Sequence, residues 1–294
     1  MEKISNKRNV DILKDQGYII LENLLDAGSV NQLSSELSTW FDKTPACRGD
    51  FYGQGTTTRY GSLLSKAPTT QDIVLHPEIT DIIGEFLRPS SFEPSYCDWY
   101  QLSLSQAVRI HPGAPMQPVH MDELMYPCVK DYEYMVNVIW AIDDFNEENG
   151  ATRLWPAPMG PKDVFDYDMN DSIVAEMPKG SALIFLGSTR HCGGANMSLA
   201  GRTAIIFSYA LGWLKQNENQ FLAYPPEVAK DFPKEIQDLI GYRIHRPNLG
   251  GYEYNCPSKL LNGERPEVLP AVDELPPHLQ AIIDEMKRED KWAS

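Results

Sequence analysis

The chain has 294 residues, 42% of them hydrophobic, and a formal net charge of −15. That length suits one large domain or two small ones, and all-β barrels commonly reach it as single domains. So acidic a surface argues against nucleic acid or an anionic membrane as a partner, and five scattered cysteines without a CxxC pair exclude a disulfide framework and point to reduced thiols in a cytoplasmic protein.

No apolar run is long enough to span a bilayer. Residues 9–15 read as a short helix stopped by Gly17, and Tyr18, Ile19, Ile20 and Leu21 as a buried strand. Val30, Leu33, Leu37 and Trp40 recur at helical spacing, with Ser29 as the expected N-cap. Residues 44–65 are polar and Gly- and Thr-rich, which predicts a loop or an irregular edge strand. A helix is predicted over 71–87, where Ile73, Ile79, Ile82, Ile83 and Phe86 keep helical period.

From residue 91 the character changes. Stretches at 96–109, 134–142, 150–155, 173–178, 182–186 and 203–211 alternate or run apolar between turn signals such as Glu147-Glu148-Asn149-Gly150. Many short strands with regular turns predict an antiparallel jelly-roll barrel, mainly β with flanking helices. A helix over 233–239, a loop over 248–259 and an amphipathic helix over 277–287 close the chain.

Chemistry concentrates at Gln117-Pro118-Val119-His120-Met121-Asp122-Glu123. On an extended backbone residues i and i+2 share a face, so His120 and Asp122 form two corners of a divalent metal site. Two His and one carboxylate with open positions are the facial arrangement of non-haem Fe(II) oxygenases. A bare His-x-Asp arises by chance in roughly every second or third chain of this composition, and its weight comes from its place among predicted strands. His76-Pro77-Glu78 matches the same pattern at a helix start, where i and i+2 diverge.

The third ligand must come from elsewhere. His278 and His245 lie in stretches expected at the surface, and His111 opens a Pro-Gly turn that aims it away. His191 sits between an apolar strand and the Gly-rich run Gly193-Gly194. By pattern alone a ligand and a satisfied core histidine are equal readings of it. Cys192 beside it is expected on the packing side. Arg202, entering the β-core, needs a partner for its charge, either an Asp or the carboxylate of a ligand.

In this order the motifs Gln117-Pro-Val-His120-Met-Asp122, Glu147-Glu-Asn-Gly-Ala-Thr152-Arg, Pro178-Lys-Gly-Ser, His191-Cys-Gly-Gly-Ala-Asn196 and Arg202 resemble the phytanoyl-CoA dioxygenase family of Fe(II)/2-oxoglutarate-dependent oxygenases. The run from Gly212 to Phe221 is similar to its fungal meroterpenoid-type members and their bacterial relatives. The resemblance extends over most of the chain. It implies a double-stranded β-helix of the cupin-like kind. It implies iron held by His120, Asp122 and His191, with 2-oxoglutarate anchored on Arg202 and contacted by Gln117, Thr152, Arg59 and, more remotely, Asn137. O2 is the co-reactant.

The implied layout is one oxygenase domain over 1–294. Residues 1–90 form a helical buttress, 91–215 the core, and 216–294 a lid with helices; 224–261 are the lid proper. A homodimer is also within what the resemblance implies. Family members carry Pro-Gly-Ser-His after the threonine strand, whereas Pro156-Ala157-Pro158-Met159-Gly160 stands here, a change at the pocket wall. Retention of Asp122 disfavours a halogenase.

Tyr60, Met125, Tyr126, Trp140 and Phe207 flank the predicted site and are candidates for the substrate pocket, with core packing an equal reading of each. The acidic balance disfavours a CoA thioester and favours a small, largely apolar metabolite of natural-product type. Two other classes stay open. One is a cupin-like isomerase or hydrolase that uses a metal without 2-oxoglutarate; the other is an inactive binding protein of the same fold.

Overall fold

The structure is a computed structural model that describes residues 2–87, 100–126, 133–160, 163–245, 248–272, 275, 277–289 and 291. Residues 96–99 of the strand expected from 96, and the expected boundary at 90/91, lie outside these. Among the described residues nine strands form two antiparallel sheets. They are β1 (Tyr18–Leu21), β2 (Thr57–Tyr60), β3 (Tyr100–Ile110), β4 (Met135–Ala141), β5 (Thr152–Trp155), β6 (Ile173–Val174), β7 (Ala182–Leu186), β8 (Arg190–Gly193) and β9 (Arg202–Leu211). The larger sheet has the order β1-β7-β4-β9-β3-β2 and the smaller β6-β5-β8. This is the double-stranded β-helix, or jelly roll.

Strand alternation divides the larger sheet into two faces. Val136, Val138 and Trp140 of β4, Ile184 and Leu186 of β7, and Ile205, Phe207 and Tyr209 of β9 point outward into the principal core. Helices α1 (Glu2–Gln16), α2 (Ala27–Phe41) and α3 (Pro77–Leu87) fill that core with Leu13, Leu33, Leu37, Ile82, Ile83 and Phe86. Ile139, Leu183, Phe185 and Ala204 point the other way, toward Leu154, Ala175 and Met177 of the smaller sheet and its loops.

Helix α2 begins two residues before the expected cap. Asp26 is its N-cap and accepts from the Ser29 amide at 2.7 Å. Strand β2 is the edge strand hidden in the Thr-rich stretch, paired to β3 with Arg59 opposite Val108. Gly17, at φ 78°, turns α1 into β1 where a Cβ would stand 2.6 Å from Thr189 Oγ1; only glycine fits that approach.

The C-terminal part differs from expectation. Tyr224, Phe232, Ile236, Leu239, Ile240 and Tyr242 are buried in the principal core, so residues 224–242 of the expected lid pack on the outer side of the barrel. His245, expected at the surface, is 4% exposed. The final helix, Pro277–Arg288, has no buried residue. No helix among the described residues is long and apolar enough to cross a membrane.

Candidate active site

The inner side of the larger sheet and the smaller sheet enclose a cavity of about 330 Å³. Its walls come from Arg59 (β2), Leu104, Gln106 and Val108 (β3), Met135 and Ile139 (β4), Phe185 (β7), Ala204, Ile206 and Ser208 (β9), and Thr152, His191 and Gly193 of the smaller sheet. Residues 117–120 run antiparallel beside β8: the His120 and His191 backbones exchange hydrogen bonds at 3.0 and 2.9 Å, and the Gln117 amide donates to Gly193 O. Pro118 lacks a donor, which leaves this pairing as an isolated bridge rather than a strand.

His120 and Asp122 do not share a strand as the sequence suggested. Asp122 opens a 3-10 turn (Asp122–Met125) and only Met121 between them is extended, at φ −124° and ψ 128°. One extended residue suffices to bring both side chains to the same side. Asp122 Oδ1 lies 3.6 Å from His120 Nε2 and its Oδ2 3.6 Å from His191 Nε2. One ligand atom from each residue falls within 4.8 Å of the others.

Both imidazoles are oriented alike. His120 Nδ1 meets Pro118 O at 2.9 Å and His191 Nδ1 meets Thr189 O at 3.0 Å. A carbonyl can only accept, so each Nδ1 carries the proton and each Nε2 presents its lone pair to the shared point. Burial, then the neighbouring His191, pushes the His120 pKa down to about 4 against the pull of Asp122, which keeps the ring neutral and able to ligate. The donor set fits a divalent metal of borderline character with open positions.

A positive end faces this triad. Arg202 is 4% exposed. One Nη2 donates to Gly150 O at 2.7 Å, its guanidinium lies 4.2 Å over the Phe145 ring, and its Nε has no partner. Burial, then the charge of Arg59, lowers its pKa to about 9, with Asp143 opposing. Arg59 donates to Gln106 Oε1 at 3.0 Å, and its buried Nε is also without a partner. No carboxylate among the described residues pairs with either arginine. One buried and one half-buried cation, mutually repelling and with open donors, fit a bound anion.

Gln117 borders the cavity. Its Oε1 accepts from the Gly193 amide at 3.0 Å and its Nε2 donates to Phe51 O at 3.1 Å. A Cβ at Gly193 would stand 2.7 Å from that oxygen, so a side chain there would push the Gln117 amide from its place. Thr152 lines the cavity. Asn137 is fully buried on the cavity side of β4; its Oδ1 accepts from Ser208 Oγ at 2.6 Å and its Nδ2 has no partner.

Of the expected pocket residues only Met125 lines the cavity. Tyr60, Trp140 and Phe207 lie on outward positions of their strands and fill the principal core, with the Tyr60 hydroxyl donating to Leu37 O at 3.0 Å. Tyr126 packs against the same core and donates to Lys215 O at 3.1 Å. Cys192 is buried and its thiol is pushed up to about 11 by desolvation. His111 is engaged by Thr58 Oγ1 at 2.9 Å, and His76 stacks edge-on to Trp140, remote from the triad.

Sequence reasoning missed Phe51, Tyr52, Gln106, Ser208 and Asn217, which also border the cavity. For Gln106 and Ser208 the signal was present: each sits an even number of residues from an inward neighbour, Val108 and Arg202. For Phe51, Tyr52 and Asn217, which lie on loops, local pattern carries none.

Comparisons with known proteins agree with this geometry. The family model described as Phytanoyl-CoA dioxygenase (PhyH) matches residues 13–204. Dioxygenase aneA of Aspergillus aculeatus is 30% identical over 251 residues, 80% of this chain and 82% of that one. Multifunctional dioxygenase ausE of Emericella nidulans is 26% identical over 78% of this chain and 81% of its own. Among solved structures, the epimerase SnoN in complex with Fe3+, alpha ketoglutarate and nogalamycin RO shares the fold at a TM-score of 0.58 and 16% identity, over 75% of this chain and 90% of that chain.

Proposed function

The chain belongs to the phytanoyl-CoA dioxygenase family, and from that premise we propose that it is an Fe(II)- and 2-oxoglutarate-dependent dioxygenase acting on a small, largely apolar metabolite in natural-product biosynthesis. One observation carries the reading: a His-Asp-His triad and two arginines without carboxylate partners border the same cavity. A metal-dependent isomerase or hydrolase would leave Arg202 and Gln117 nothing to hold.

In this reading His120, Asp122 and His191 hold the iron. Arg202 takes the distal carboxylate of 2-oxoglutarate, with Arg59, Gln117, Thr152 and Asn137 as its polar surroundings. When bound, the metal and cosubstrate supply O2 activation, with 2-oxoglutarate leaving as succinate and CO2. The protein's own residues supply position and dryness. The carbonyls of Pro118 and Thr189 fix the proton of each ring on Nδ1 and aim each Nε2 at the metal position, and Phe185, with its ring 4.6 Å from that of His191, shields the buried side from water.

Substrate size is bounded by the cavity, and the apolar walls from Leu104, Val108, Met135, Ile139 and Ile206 suit a hydrocarbon skeleton. The net charge of −15 weighs against the phosphates of a CoA ester. The relatives named as dioxygenases, and a solved relative holding nogalamycin RO, support the natural-product reading. The test is anaerobic: Fe(II) is added to the purified chain, then 2-oxoglutarate. A visible charge-transfer band that needs both additions is expected. No band, together with unchanged metal affinity in His191→Ala, contradicts the reading.

A further inference from the structure

The cavity is roofed by a short turn that no sequence motif marks. Gly49, Gly53 and Gly55 all have positive φ, at 92°, 65° and 83°, and they bracket a 3-10 turn (Asp50–Tyr52). Glycine allows this chain reversal, and local hydrogen bonds close it: the Tyr52 amide donates to Gly49 O at 3.2 Å, the Gly53 amide to Asp50 O at 3.0 Å, and Thr57 Oγ1 to Tyr52 O. The turn also rests on the site beneath it. The Phe51 ring stands edge-on to the His120 ring at 4.8 Å, and Phe51 O accepts from Gln117 Nε2. The Tyr52 ring lies 4.7 Å from the Arg59 guanidinium. Both rings remain 42% and 44% exposed, so the turn is a thin wall between cavity and solvent.

Among the described residues the Arg59 side chain otherwise hydrogen-bonds only Gln106 Oε1, and its Nε lacks a partner. A guanidinium against an aromatic face keeps its in-plane donors available while losing rotational freedom. We infer that Tyr52 and Phe51 are positioning residues for cosubstrate binding: Tyr52 aims Arg59 at the anion, Phe51 braces His120 and Gln117, and the turn they share becomes ordered when the anion is in place. The inference rests on the 2-oxoglutarate reading and adds to it an element outside the family's recognisable motifs. Coupling of this kind is reciprocal. If the turn strengthens anion binding, the anion must order the turn by the same factor.

Two measurements on the full chain test this without turnover, using Mn(II) in place of iron and N-oxalylglycine as the dicarboxylate probe. In calorimetric titration Tyr52→Ala is expected to bind the probe about fivefold more weakly than wild type, the upper range of a solvent-exposed cation–π contact. Tyr52→Phe keeps the ring and stays within about twofold. Mn(II) affinity is the same in all three. Arg59→Ala combined with Tyr52→Ala loses little beyond Arg59→Ala alone, because the two act as one unit.

In hydrogen exchange on the wild type, residues 49–53 slow severalfold on addition of the probe with Mn(II), and not with Mn(II) alone. Wild-type affinity in Tyr52→Ala, additive losses in the double variant, or exchange unchanged by the probe overturns the inference alone. Failure of the wild type to bind the probe overturns the functional reading and this inference with it.

Discussion

The two faces of strands β4 and β9 are one residue apart in sequence and opposite in energetics. Outward, Val138, Trp140, Ile205 and Phe207 are fully buried and surrounded by helices. That face minimises exposed apolar area and stabilises the fold. Inward, Asn137 and Arg202 are as deeply buried, yet Asn137 Nδ2 and Arg202 Nε have no partners. A buried unsatisfied donor costs about 1–3 kcal/mol. The inward face therefore gives up stability that a ligand can restore. Burial alone does not separate core from site, and the outward face also leaves Trp140 Nε1 without a partner; what marks the inward face is a buried charge, Arg202, bordering a cavity.

The contrast can be broken one side chain at a time. Phe207→Ala should show the largest effect, a loss of about 3–5 kcal/mol in denaturant unfolding, while the remaining folded protein keeps its affinity for 2-oxoglutarate. Loss of that affinity would mean the faces are not independent. His191→Ala should reverse the pattern. Metal affinity falls by at least about a hundredfold, since even partners behind a ligand are worth 10–100-fold, and the metal-free melting temperature barely moves.

Arg202→Met sharpens the comparison further. Affinity for 2-oxoglutarate should drop roughly 10–100-fold, the range of a charge-assisted hydrogen bond. The metal-free variant should melt no lower than wild type, because a buried charge without a carboxylate partner has been replaced by an apolar chain. A lower melting temperature would show that Arg202 serves the fold.

The smallest effect concerns His76, beside Trp140 on the outward face. Burial lowers its pKa from 6.5, with Glu78 opposing. The unfolded chain therefore takes up the proton first. The contribution is fully present above about pH 6.5 and is lost as pH falls toward the folded value. His76→Gln should flatten the stability profile on the acid side of pH 6.5 and leave it unchanged above.

Much of this organisation was legible in the sequence. The strands Tyr18–Leu21 and Ala182–Leu186 were read to their ends, because apolar runs bounded by turns have few other interpretations. His120, Asp122, His191 and Arg202 were singled out and do converge on one cavity. Strand register relative to the site was not legible. Trp140 and Phe207 flank the predicted site and are pocket candidates on that ground alone, with core packing an equal reading; a shift of one residue moves a side chain to the other face, and the structure puts both in the core.

Strand β8 went unread as a strand because Arg190-His191-Cys192-Gly193 has no β-branched residue; pairing to β5 decides it. The roofing element was sought among residues 224–261, whose irregular composition suggested a lid. Burial of Tyr224 and Tyr242 instead anchors that segment, and the roof lies in a Gly-rich loop held by long-range contacts of Phe51 and Tyr52. Long-range contacts of loops leave no local periodicity to read.

The central claim is that the inward face is an incomplete site whose missing partners are a metal and a dianion. It is tested most directly by thermal unfolding of the chain in EDTA, with Mn(II), and with Mn(II) plus N-oxalylglycine. Binding at a hundredfold excess over Kd adds about 2.7 kcal/mol. The melting temperature should therefore rise in two steps, and the second step should shrink to about half or less in Arg202→Met while the first remains. A probe that stabilises equally without metal, or in Arg202→Met as in wild type, would contradict the account.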